Sequence, residues 1–196
     1  MIETDGNHYE ELLVALEQTR EVEGATFEIG VRRGGSSYMI MEAMKGLGKP
    51  HIGIDPYGAI DYEDRVGVHK TDYSNKMRNE TLASLFNYAA ENDYDFLFFN
   101  LEDTEFFKRF QDGIPLYRGE KEMINTISLA FIDGPHATKP VLAAFEYLKD
   151  KITVGGQIVF DNYDHYPHDT EVEPTIIADR YKLVATGVDK KVYQRI

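Results

Sequence analysis

Short apolar runs that alternate with longer amphipathic stretches constrain this chain more than any other feature. Ala25–Val31, His51–Ile54, Phe96–Leu101, Leu129–Ile132 and Gln157–Phe160 are each four to seven residues long and nearly continuous in apolar character. That is the pattern of strands buried on both faces. Between them lie stretches of helical period. Ser36–Leu47 carries Tyr38, Ile40, Met41 and Met44 on one side, and Lys76–Ala90 carries Leu82, Leu85, Phe86 and Ala89. Thr104–Phe110 and Pro140–Asp150 are predicted helices after the third and fourth strands, and Tyr9–Arg20 precedes the first with Leu12, Leu13 and Leu16 facing inward. Gly113–Lys121 and Asp161–Pro174 read as loops. Strand–helix alternation with right-handed crossovers gives a mostly parallel sheet with helices on both faces. Leu183–Thr186 and Lys191–Gln194 are too close for a helical crossover and are predicted to pair antiparallel.

No linker or repeat divides the 196 residues, so one domain is expected over 1–196, with the helix within 1–22 packed on the core. Lys and Arg number 21 against 34 Asp and Glu, for a net charge of −13. A nucleic-acid backbone requires clustered cations, so DNA and RNA are disfavoured as partners. Cysteine is absent, which removes disulfides, thiolate metal sites and cysteine nucleophiles. Met1–Glu11 is acidic and polar, unlike a signal peptide, and Phe96–Phe99 is too short to span a bilayer. A cytoplasmic protein without membrane contact is expected; homo-oligomerisation stays open.

Ligands of such sheets bind beyond the carboxyl ends of the strands. Gly30, Asp55, Asp133 and Asp161 each close a predicted strand, so four chemistry-bearing positions share one rim. Glu28-Ile29-Gly30-Val31-Arg32-Arg33-Gly34-Gly35-Ser36-Ser37 runs from a strand through a glycine turn into a helix, with Ser36 or Ser37 as the expected cap. Amides at that helix start favour an anionic group. Arg32 breaks the dinucleotide fingerprint at its second glycine. Asp55 suits a ribose diol, because carboxylate oxygens accept both hydroxyl protons. Asp133 and His136 lie three residues apart, and an imidazole of ordinary pKa titrates near neutrality and takes a proton from an acceptor hydroxyl. Asp161 and Asn162 emerge beside Asp133, and three oxygen-bearing side chains suit a hard cation such as magnesium, against the alternative of a structural Asp-Asn turn. His165 and His168, with Asp164 and Asp169, read as a solvated loop rather than a zinc site; Phe96, Phe98, Phe99, Phe106, Phe107 and Phe110 read as core.

In this order, Glu28-Ile29-Gly30-x-x-x-Gly34-x-Ser36, Asp55, Ile132-Asp133-Gly134-x-His136 and Gly155-Gly156 to Phe160-Asp161-Asn162 resemble the S-adenosylmethionine-dependent methyltransferases of the Rossmann-like class. The chain looks most like the small O-methyltransferases related to the catechol and macrocin enzymes, over about Phe27–Tyr163. The resemblance implies a three-layer αβα sandwich whose seven-stranded sheet has an antiparallel last strand. It implies S-adenosylmethionine, with Glu28, Gly30, Gly34 and Ser36 around its methionine end, Asp55 on its ribose, and Glu102 and Asp103 near its adenine. It further implies magnesium on Asp133, Asp161 and Asn162, His136 as general base assisted by Asp133, and a small-molecule hydroxyl acceptor. Pro135 departs from the acid of the macrolide-sugar enzymes, the Arg32-Arg33 pair is unusually basic, and the N-terminus offers little material for a lid. Rival readings are a sugar-nucleotide or dinucleotide enzyme on the same rim, or a non-catalytic cofactor-binding module.

Overall fold

A computed structural model describes residues 8–64 and 67–196; residues 1–7 of the N-terminal segment, and with them most of the acidic Met1–Glu11 stretch, lie outside it. The main sheet has seven strands in the order β10-β11-β9-β8-β1-β2-β5. These are β1 (Ala25–Ile29), β2 (His51–Ile54), β5 (Phe96–Phe99), β8 (Ile127–Ile132), β9 (Ile152–Phe160), β10 (Tyr181–Thr186) and β11 (Lys191–Arg195). β1, β2, β5, β8 and β9 pair parallel, whereas β11 runs antiparallel to both β9 and β10. The expected sandwich, including its reversed last strand, is therefore the observed one.

Strand alternation decides which helix covers which face. Ala130 and Ile132 of β8, with Ala25, Phe27 and Ile29 of β1, pack in one cluster with Phe106 and Phe107 of α4 (Asp103–Arg109) and Val141, Ala144, Phe145 and Leu148 of α5 (Thr138–Leu148). Leu129 and Phe131 turn the other way, against Leu12 and Leu16 of α1 (Glu10–Gln18) and Ile40 and Met44 of α2 (Gly35–Met44). Leu85 and Ala89 of α3 (Asn75–Glu91) close that layer with Val31, Met41 and Phe96. Leu13 and Phe86, expected inside, are 48% and 45% exposed, so both helices bury a narrower stripe than their apolar content suggested.

Three segments differ from the sequence expectation. Gly113–Lys121 is not a loop: β6 (Ile114–Arg118) and β7 (Glu120–Ile124) form an antiparallel hairpin. A second hairpin, β3 (Gly58–Asp64) with β4 (Gly67–Tyr73), follows β2 and gave no apolar alternation to read. Neither joins the main sheet, although Ile114 and Leu116 of the β6–β7 hairpin are buried and Ile114 belongs to the main core. The stretch 161–174 folds as a 3-10 turn (Tyr163–His165) and two short helices, α6 (His168–Glu171) and α7 (Glu173–Ala178). Tyr163, His168, Val172 and Ile176 bury there, and Pro174 opens α7 at a position where its missing N–H costs nothing. No helix among the described residues is long and apolar enough to cross a membrane.

Candidate active site

The strand order reverses between β1 and β8, and a cleft of about 840 Å³ opens over the carboxyl ends there. Its floor is set by ladder hydrogen bonds that continue one residue beyond each strand. Gly30 N–H donates to Ile54 O at 2.9 Å, Asp55 N–H to Phe99 O at 3.2 Å, Asp133 N–H to Ile29 O at 2.9 Å and Asp161 N–H to Ile132 O at 3.0 Å. The three acids are thus pinned by neighbouring strands, and Gly30, Asp55, Asp133 and Asp161 all line the cleft.

Gly30 has φ +96, and a Cβ built there would stand 2.0 Å from the Asp133 carbonyl oxygen. Only glycine allows β1 and β8 to close the rim at that spacing. Gly34 has φ +79 and caps α2 through its backbone, without a side-chain cap from Ser36 or Ser37. Its lost side chain makes room for Leu85 and Thr81 of α3 rather than for a ligand. Ser36 and Gly35 face the cleft, whereas Gly34 and Glu28 lie behind it. Glu28 alternates with Phe27 and Ile29, so its carboxylate lies on the opposite side of β1, in contact with α2, fully buried. There it accepts from Ser37 Oγ and lies 3.3 Å from His51 Nε2, whose Nδ1 is 3.0 Å from Thr26 Oγ1. Its place in the fold supports the turn from beneath and gives it no contact with the cleft.

Asp55 binds the turn to β2. Its Oδ2 accepts from Arg32 N and its Oδ1 from Tyr57 N, each at 2.8 Å. Tyr57 OH and Thr81 Oγ1 donate to Arg32 O, which holds that residue at φ +45. Burial raises the Asp55 pKa, and backbone hydrogen bonds from Arg32, Tyr57 and Val31 oppose the rise. Glu102 and Asp103 also reach the cleft; burial raises Asp103 while Thr104 N–H donates to it at 2.6 Å.

Asp133, His136 and Asp161 each bring a ligand-type atom within 4.8 Å of the others. Asn162 sits at φ +51, a conformation asparagine tolerates, and its Nδ2 lies 3.0 Å from His136 Nε2. That orientation makes Nε2 an acceptor and places the ring proton on Nδ1. Burial first, then the Asp161 charge, pushes the Asp133 carboxyl well above the ordinary carboxylate range. His136 does not titrate near neutrality as its residue type suggests. Burial, with His168, His165 and Lys190 adding to it and Asp161 opposing, pushes it down to about 4.

Several groups here had no counterpart in the sequence reading. Lys190 comes from the β10–β11 turn, is 3% exposed, and its ammonium lies 2.5 Å from Asp161 Oδ1. Tyr9, Tyr166 and Arg32 line the cleft, as do Ile60, Asp61 and Tyr73 of the first hairpin. His165 is exposed, as expected, and pairs with Asp189 at 3.2 Å, whereas His168 is buried and stacked on Tyr166 rather than solvated. The antiparallel last strand carried a usable signal for Lys190. A strand reversed beside β9 begins at the carboxyl rim, and Lys191 is in register with Phe160.

Lys190 decides how far the cluster suits magnesium. Asp133 and Asp161 are the right donors, but a dication on Asp161 would face the ammonium across one carboxylate. Two unit charges 4 Å apart cost about 4 kcal/mol at an effective dielectric of about 20. As folded, the Lys190 ammonium already stands against Asp161, so no step is assigned to a metal.

Comparison with known proteins places this geometry. The sequence profile of the family described as "Methyltransferase domain" matches residues 27–163. An uncharacterised protein of Acanthamoeba polyphaga mimivirus is 28% identical over 166 residues, covering 84% of this chain. The chain spans 63% of that curated relative's length. Among solved structures, the O-methyltransferase NovP superposes with a TM-score of 0.65 at 20% identity, over 95% of this chain and 78% of that one. The O-methyltransferase from Bacillus cereus in complex with SAH (S-adenosylhomocysteine) gives 0.63 at 14% identity, over 98% and 83%. At such identities the likeness is one of fold.

Proposed function

Because the chain belongs to this methyltransferase domain family, of the S-adenosylmethionine-dependent Rossmann-like class, we propose that it transfers the cofactor's methyl group to a hydroxyl of a small-molecule acceptor. The observation that carries this is the sharing of one cleft by the Gly30–Ser36 turn with Asp55, on one side, and His136 with Asp133 and Asp161, on the other. Gly30 and Ser36 receive the methionine end, Asp55 the ribose, and Glu102 and Asp103 the adenine end. Glu28 and Gly34, expected around the methionine, act from behind by shaping the turn.

Methyl transfer from a sulfonium is an in-line displacement, so catalysis rests on alignment and on removal of the acceptor's proton. His136 is neutral throughout the physiological range, because burial suppresses its cationic form. An acceptor hydroxyl takes the place of Asn162 as donor to Nε2. As its oxygen bonds to the methyl carbon, the carbon–sulfur bond breaks, the hydroxyl proton passes to Nε2, and the sulfonium becomes a neutral thioether. Asp161, whose charge already opposes the loss of basicity at His136, stabilises the imidazolium that forms. The acidic composition and the acid-lined cleft support a small molecule over a nucleic acid as acceptor.

His136→Ala tests the assignment. Turnover of a methylated acceptor should fall by about 10² to 10⁴, with S-adenosylhomocysteine affinity by calorimetry unchanged. Wild-type turnover in that variant removes His136 from the mechanism, and absence of cofactor binding in the wild type removes the proposal.

A further inference from the structure

We propose that Lys190, its ammonium fixed on Asp161, is the resident cation of the acceptor side of the cleft and stands where a divalent metal would otherwise be held. The inference rests on the methyl-transfer reading above and goes beyond it by assigning a charge-bearing residue to the site and making the reaction independent of metal.

Three observations carry it. First, topology fixes the position. β11 enters antiparallel beside β9 with Lys191 opposite Phe160, so residue 190 must arrive next to residue 161 at the rim. Second, the side chain is enclosed. Lys190 is 3% exposed, with Asp161 Oδ1 at 2.5 Å on one side and the Tyr9 ring centroid at 5.5 Å on the other. Two elements distant in sequence close around one ammonium, and the Asp161 carboxylate compensates the hydration that the ammonium loses there. Third, the ammonium stands at ion-pair distance from an oxygen that a metal would need, in a cluster that among the described residues comprises Asp133, His136 and Asp161. Lys190 also lines the cleft. It therefore presents positive charge toward the acceptor oxygen as that oxygen loses its proton to His136, and its ion pair aims the Asp161 carboxylate.

Manganese(II) is the probe, titrated into the full chain and followed through the loss of the free-ion electron paramagnetic resonance signal. The wild type should leave the signal unchanged into the millimolar range. Lys190→Met should gain a site at least about tenfold tighter, while Lys190→Arg should not. Stoichiometric micromolar binding by the wild type, abolished by Asp161→Asn, overturns the assignment, and that pair of measurements decides it even if Lys190→Met fails to fold. A folded Lys190→Met that gains no manganese overturns it as well. Calorimetry with S-adenosylhomocysteine on the same wild-type sample separates the two proposals. Equal affinity with chelator and with magnesium is expected, and no binding at all sinks the methyl-transfer reading while the manganese result still judges Lys190.

Discussion

On the β1–β2 side of the cleft the working groups are held by main chain, whereas on the β8–β9 side they hold one another. Asp55 is fixed by the amides of Arg32 and Tyr57, and the turn it grips is pinned through Arg32 O. Asp133, His136, Asp161, Asn162 and Lys190 instead form a chain of side-chain contacts gathered from three separate loops. Backbone-built sites depend on local geometry, so a contiguous motif encodes them. Side-chain clusters depend on where distant elements converge, and their charge state belongs to the group rather than to any one residue.

The strongest way to break this contrast is at a point where the two sides touch. Gly30→Ala places a methyl group against the Asp133 carbonyl in a backbone conformation alanine resists. Strain and overlap together should cost about 2–6 kcal/mol in chemical denaturation, with both cofactor affinity and turnover lost. Wild-type stability and S-adenosylhomocysteine binding in that variant would show that the two sides are not mechanically joined.

Acid titration probes the clustered side alone. A histidine of ordinary pKa near 6.5 would be about nine-tenths protonated at pH 5.5, lowering kcat/KM roughly tenfold. With His136 held down to about 4, activity should stay level to about pH 5.5 and fall only as pH passes through 4. Stability has a definite sign as well. Between about pH 6.5 and 4 the unfolded chain binds a proton at this position that the folded chain refuses. Falling pH therefore removes up to about 3 kcal/mol through this group, a loss that His136→Asn should lack. An activity midpoint near 6.5 would mean that His136 is solvated in the working enzyme.

The same contrast explains what could be read from the sequence. The parallel strands, the antiparallel final pair and the rim positions of Gly30 and Asp55 follow from contiguous signals: apolar runs, a glycine turn, an acid one residue past a strand. Asp133, His136, Asp161 and Asn162 were visible as rim residues, but the depressed basicity of His136 was not, because it arises from burial beneath 163–171, a segment with few apolar residues to betray its folding. Lys190 was hidden for a related reason. A lysine in a turn is ordinarily solvated, and only the placement of β11 beside β9 makes it internal. Glu28 shows the converse: its motif position was clear, yet strand alternation places its carboxylate against α2, where it accepts from Ser37.

The smallest expected effect lies at the far end of the backbone-held side and asks how far that side extends. Asp103 begins α4, lines the cleft, and is raised by burial while accepting the Thr104 amide. A carboxylate in the first turn of a helix stabilises it by about 0.3–1 kcal/mol through the helix dipole. Asp103→Asn keeps an acceptor for Thr104 and removes only the charge, so its thermal midpoint should move by no more than that energy allows. If Asp103 also accepts from the cofactor's adenine, losing the charge should weaken S-adenosylhomocysteine binding by about three- to tenfold, with turnover at saturating cofactor unchanged. Unaltered affinity would end the cofactor side at Asp55 and leave Asp103 as helix-start chemistry. A drop in turnover at saturation would move Asp103 to the acceptor side and erase the division between the two.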